Sequence, residues 1–139
     1  CGEGGVREYI EEQISKHNLK SRVKLHNYTS DVESIYNQND IFILPSRFEG
    51  FGIVQIEAAS CGLPIIASEL AITKELTTKY NYGELFEYNN PSSLAKVMLS
   101  MINKDLNYYS ENAYIAAKDF EISKISYEWK MLFKNLMSN

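Results

Sequence analysis

The stretch Ile41-Phe42-Ile43-Leu44-Pro45-Ser46-Arg47-Phe48-Glu49-Gly50-Phe51-Gly52-Ile53-Val54-Gln55-Ile56-Glu57 decides how the chain is read. Its first four residues are a continuous apolar run stopped by a proline, the pattern of a parallel strand buried on both faces. A loop carrying Gly50 and Gly52 follows, and Gly52 to Ser60 reads as a helix closed by the stop signals Gly62 and Pro64. A buried strand feeding a glycine-bearing loop and then a helix is the unit of a parallel α/β sheet. Such sheets take ligands in the crevice beyond the carboxyl ends of their strands.

The same grammar extends in both directions. Upstream, Val6, Tyr9, Ile10 and Ile14 fall at helical spacing and predict a helix over Val6 to His17. Val23-Lys24-Leu25-His26-Asn27 alternates like a strand, and Ser30-Asp31-Val32-Glu33 has the pattern of a capping box before a short helix to Asn37. Downstream, Pro64 to Ala67 predicts a short buried strand, Ala71 to Thr77 a helix, and Gly83 to Phe86 a weaker strand. Asn90 is set to cap a helix that opens at Pro91 and runs to about Asn103. Asp105 to Lys118 reads as helical. Over Glu121 to Met137, Ile122, Ile125, Trp129, Leu132, Phe133 and Leu136 share one face, a packing stripe rather than a cofactor box.

Bulk properties narrow the function. The 139 residues fit one domain, and 45% hydrophobic with 23% charged residues is ordinary for an α/β protein. A net charge of −4 without a basic patch argues against nucleic acid as a partner. Cys1 and Cys61 make no disulfide framework, and His17 and His26 have no metal-ligand spacing, so no metal site is expected. With no signal peptide and no apolar run long enough to span a bilayer, the default expectation is a reducing cytoplasm.

The loop and helix start carry the chemistry. Gly50 and Gly52 let a ligand approach the backbone without a Cβ in the way. The first-turn amides around Gly52 to Val54 lack intrahelical acceptors and lie at the positive end of the helix dipole, a place for phosphate. Glu57 sits among Ile53, Val54, Ile56, Ala58 and Ala59, so the helix reads as apolar nearly all round, and its carboxylate as buried and in need of donors. Vicinal sugar hydroxyls would serve, as would a backbone amide or an arginine. Glu49, on the flexible side of the loop, could reach a sugar bound beyond the phosphates, or be merely solvated.

Glu49 and Glu57 are separated by seven residues in the context PSRFEGFGIVQIEAASCGLPIIAS. This resembles the E-x7-E signature of the retaining GT-B glycosyltransferases of the family 4 type (glycosyl transferases group 1). Gly2-Glu3-Gly4 is similar to that family's early G-x-G, Asn39 to Ser46 to its strand ending in Pro-Ser, and Gly83-Glu84-Leu85-Phe86 to its late strand. The resemblance implies an α/β, parallel-sheet, Rossmann-like fold, the C-terminal half of a GT-B enzyme lacking its first strands. Residues 1–139 would form a partial nucleotide-sugar-binding domain, with 121–139 its terminal amphipathic helix.

The resemblance also implies a UDP-, GDP- or ADP-sugar donor, no catalytic metal or other cofactor, and transfer with retention to a glycan or lipid-linked acceptor. Carried over by position, Glu57 would hold the ribose hydroxyls. Glu49 would contact the donor sugar and steady charge at the reacting centre, as the catalytic residue. The amides of Gly50, Phe51 and Gly52 would meet sugar hydroxyls, those of Ile53 and Val54 the diphosphate, and Asn27 and Tyr28 would lie near the base. The acceptor-binding N-terminal domain and the cationic phosphate clamp are expected upstream of the chain, leaving it inactive alone. A sheet edge exposed by missing strands is expected to favour self-association. The full enzyme would be cytoplasmic or peripheral on the inner membrane face. Two other readings stay open, a nucleotide-sugar-binding module without chemistry and, more distantly, a glycoside hydrolase using the two glutamates.

Overall fold

The computed structural model describes residues 5–137, which divide between residues 32 and 33 into two compact units. The Gly2-Glu3-Gly4 motif lies outside the described residues. In the first unit, α1 (Arg7–Lys16) ends as its sequence dictates, although no glycine is available. Asn18 takes the left-handed conformation at φ 56°, its amide donates to the Ser15 carbonyl (3.1 Å), and the Leu19 amide donates to that of Ile14 (2.8 Å). That pair of bonds is a Schellman closure, and asparagine is the residue best able to replace glycine there.

The strand expected over Val23–Asn27 does not form; the segment is irregular. Alternation alone does not make a strand, because the ladder supplies the hydrogen bonds, and the described residues offer no neighbouring strand to pair with it.

α2 (Val32–Tyr36) begins at the last residue of the first unit, and the second unit continues with β1 (Phe42–Leu44), α3 (Ile53–Ser60), β2 (Ile65–Ser68), α4 (Ala71–Tyr80), β3 (Gly83–Phe86), α5 (Pro91–Met101), α6 (Leu106–Asp119) and α7 (Ile122–Met137). The strands form one parallel sheet in the order β1-β2-β3, with Phe42 opposite Ile65 and Ile65 opposite Gly83. The α/β parallel class read from the sequence is therefore the observed one. The Asn90 cap forms, its side chain accepting the Ser93 amide at 3.0 Å. α4 runs a turn beyond Thr77 because Tyr80, four residues after Leu76, continues its buried face.

The sheet separates two apolar clusters. On one side Leu44, Ile65 and Ala67 pack with Ala58 and Ala59 of α3, Leu76 and Tyr80 of α4, Tyr82, and Ala113 and Ala116 of α6. On the other, Ile66 and Phe86 pack with Met101 of α5. Every residue of β2 is buried, as a central parallel strand requires. No described residue of α7 is buried, and its stripe faces outward, with Ile122 84% and Trp129 55% exposed.

Two features of this scaffold generate predictions. A Cβ on Gly83 would lie 1.8 Å from the Ile65 carbonyl oxygen, backbone that cannot yield without breaking the β2–β3 ladder. Gly83→Ala is expected to cost at least about 3 kcal/mol in urea unfolding; near-wild-type stability would show that the strands can part at this point. At the α6 end, Lys124 and then the Tyr80 hydroxyl (2.7 Å) hydrogen-bond the Asp119 carboxylate. Together they hold its pKa at about 2, below its ordinary 3.8. A depressed carboxyl stabilises above its unfolded value and loses that contribution as pH falls through the folded one. The Tm should therefore drop between about pH 4 and pH 2 more steeply in the parent chain than in Asp119→Asn, by a modest margin because the group is exposed.

Candidate active site

The loop leaving β1 is pinned from beneath by β2. Ser68 is fully buried, and its hydroxyl donates to the Ser46 carbonyl at 2.6 Å, with the Leu44 carbonyl at 3.3 Å. The Ser68 carbonyl in turn accepts the Thr73 hydroxyl at 2.6 Å, and that hydroxyl also accepts the Leu70 amide at the start of α4. Ser46, so placed, donates its hydroxyl to the half-buried Glu49 carboxylate at 3.2 Å. The carboxylate thus has an orienting donor from its own loop. It is held rather than merely solvated.

Gly52 caps α3 in the left-handed region (φ 80°, ψ 54°). The helix that follows is not buried all round, contrary to the reading from its apolar neighbours. Gln55, Ala58 and Ala59 face the core, whereas Ile53 is 67% exposed and Val54 and Glu57 also face outward. The reason is that the sheet and α6 cover only one side of α3. Ala58 and Ala59 meet Ala113 and Ala116 there, and small side chains on both helices allow that close approach. Glu57 consequently escapes the desolvation penalty expected of it. A protein donor near it is the Tyr36 hydroxyl, at a long 3.4 Å. Burial foremost, and then the Glu57 carboxylate, pushes the Tyr36 phenol above its ordinary pKa.

Glu49, Gly50, Phe51, Gly52, Ile53, Val54 and Glu57 therefore share one loop and the helix it opens, at the carboxyl end of β1. With the first-turn amides of α3 beside an oriented carboxylate, the arrangement can accept an anion and hydrogen-bond hydroxyls. Asn27 and Tyr28 belong to the first unit, where both are exposed, Tyr28 by 77%. Arg47 and Phe48 are exposed as well. Among the described residues no three His, Cys, Asp or Glu side chains cluster to hold a metal ion.

Sequence reasoning missed the supports of this site. Gln55 is fully buried, its Nε2 donating to the Phe51 carbonyl at 3.0 Å and its Oε1 accepting the Tyr82 hydroxyl at 3.0 Å. Burial pushes the Tyr82 phenol well above its ordinary pKa, so it stays a donor. A glutamine amid an apolar helix was the available signal for Gln55. Ser68 and Thr73 carried none, because hydroxyl residues at strand ends and first helical turns are commonplace.

Comparison with known proteins agrees with this fold. Residues 1–118 match the family described as glycosyl transferases group 1. The chain is 32% identical over 133 residues to the O-antigen biosynthesis glycosyltransferase WclY of Escherichia coli, covering 88% of this chain and 37% of that protein. It is 34% identical over 96 residues to the UDP-Gal:alpha-D-GlcNAc-diphosphoundecaprenol alpha-1,3-galactosyltransferase of E. coli, covering 68% and 25%. Among solved structures, Anabaena Alr3699/HepE in complex with UDP-glucose superposes with a TM-score of 0.78 at 26% identity, over 97% of this chain and 38% of that one. The chain thus spans well under half the length of the proteins it matches. A parallel sheet with this loop and helix start, and a family match over most of its length, lead to one assignment: the chain belongs to the group 1 glycosyltransferases, with the fold of a GT-B C-terminal domain.

Proposed function

We propose that the chain binds a UDP-sugar at the β1–α3 loop and supplies the donor half of a retaining transferase acting without a metal. The observation that carries this reading is the pairing of an oriented carboxylate, Glu49 on Ser46, with the open start of α3 one helix face away from Glu57. UDP is favoured over other nucleotides because it or its sugars appear in the names of both the galactosyltransferase and the UDP-glucose-bound relative. The acceptor is a glycan or lipid-linked sugar, held by polypeptide that the longer relatives possess.

The roles divide by chemistry. The amides of Ile53 and Val54 meet the diphosphate at the positive end of the α3 dipole, which stabilises the charge of the departing nucleotide as well. Those of Gly50, Phe51 and Gly52 donate to sugar hydroxyls. Glu57, an outward-facing acceptor, takes both ribose hydroxyls. Glu49 sits nearer the sugar, where its negative charge offsets positive charge developing at the anomeric carbon.

Glu57→Gln should weaken UDP binding roughly tenfold to a hundredfold, the loss of a charge-assisted pair of bonds, with the unfolding midpoint unchanged. Titration calorimetry that shows equal affinity removes the ribose role. In the full-length enzyme, Glu49→Ala should lower kcat about a hundredfold while UDP affinity stays within a few-fold. If affinity collapses instead and bound donor still turns over normally, Glu49 binds rather than acts.

A further inference from the structure

The α3 start is built from a residue that can turn either way. At φ 80° Gly52 lies in the left-handed region that glycine enters freely, and a flip of the Phe51–Gly52 peptide plane would exchange the N–H that points away from Gln55 for a carbonyl at little intrinsic cost. An outward carbonyl would repel a phosphate or leave a sugar hydroxyl with no donor. Something must choose between the two orientations. Gln55 sits directly beneath. It is fully buried, its Nε2 grips the Phe51 carbonyl at 3.0 Å, and a Cβ on Gly52 would fall 2.4 Å from that same nitrogen. In a trans peptide the N–H points opposite to the C=O. A Phe51 carbonyl drawn inward onto Gln55 therefore turns the Gly52 N–H away from the core.

Gln55 is itself held. Its Oε1 accepts the hydroxyl of Tyr82, also fully buried, which fixes which end of the amide faces Phe51. Tyr82 is braced edge-on against Tyr80 with centroids 6.2 Å apart, and Tyr80 against Phe120 at 6.1 Å. Phe120 meets the ring of Phe51 itself at 5.3 Å. Phe51 is thus fixed at both ends, its carbonyl through Gln55 and its ring through Phe120. A leucine or methionine would fill the same space without the desolvation cost of a buried amide. What the glutamine adds is direction.

We propose that Gln55, backed by Tyr82, is a positioning residue that locks the Phe51–Gly52 peptide with its N–H outward, as a donor to the bound nucleotide sugar. The donor role rests on the function proposed above; the lock itself does not. The test compares Gln55→Met, which keeps the volume and loses the donor, with Tyr82→Phe, which frees the glutamine amide to turn. Ile66→Val, on the opposite face of the sheet, serves as a packing control. All are made in the full-length protein.

Crystal structures without ligand should show the Phe51–Gly52 peptide reversed or in two orientations in Gln55→Met, and in its original one in Ile66→Val. UDP-glucose affinity should fall about tenfold in Gln55→Met, less in Tyr82→Phe, and not at all in the control even where its Tm loss is as large. A peptide that keeps its orientation in Gln55→Met overturns the lock, and so does a control that loses affinity equally. If the parent protein binds no nucleotide sugar, the functional reading and the donor role fall together. The peptide orientation in the variants then still decides for or against the lock. Should Gln55→Met fail to fold, Tyr82→Phe carries the same structural comparison.

Discussion

The rest of the site depends on how α3 lies against α6. Ala58 and Ala59 of α3 share one core cluster with Ala113 and Ala116 of α6, all four fully buried. The contact seats α3 between the sheet and α6 and leaves its other side open. From that placement three consequences follow together: the first turn of α3 comes to the carboxyl end of β1, Gln55 points under the loop, and Glu57 points away from the core. A bulky residue at any of the four alanines would lift the helix and shift all three at once.

On this seat, buried polar groups do what apolar packing cannot. Dispersion and the hydrophobic effect are nondirectional, so they hold α3 down but do not aim a carbonyl or a carboxylate. Ser68 and Thr73 tie the exit of β1 to β2 and α4, and through Ser46 they reach Glu49. Gln55 and Tyr82 do the same from the far side of the loop. A loop carrying two glycines is thereby held at both ends by hydrogen bonds whose partners are buried. Preorganised donors of this kind are worth most where a ligand's charge must be met without further rearrangement.

Much of this was legible in the residues. The apolar run before Pro45, the glycines before an apolar helix, and the strand–helix alternation specify a parallel α/β sheet because each pattern fits few backbones. The glycine-bearing loop at the carboxyl end of β1 followed from topology, and the placing of Glu49 on that loop and Glu57 on the helix after it from spacing. The Val23–Asn27 segment misled because alternation reports which side chains share a face, while a strand also needs a partner to bond. Glu57 misled for a related reason. Apolar neighbours show that a helix tolerates burial, not which of its sides is covered.

What the sequence by itself determined, then, is the order of elements from β1 onward, the glycine-bearing loop between β1 and α3, and the family to which the chain belongs. These depend on local propensity and on short patterns within one segment. Only the tertiary structure decided that Gln55 lies beneath Gly52, that Ser68 holds Ser46 across 22 positions of chain, and that Glu57 faces outward. Each of those depends on which elements are brought together in space, and residues far apart in the chain leave no periodic trace of the hydrogen bond they will share.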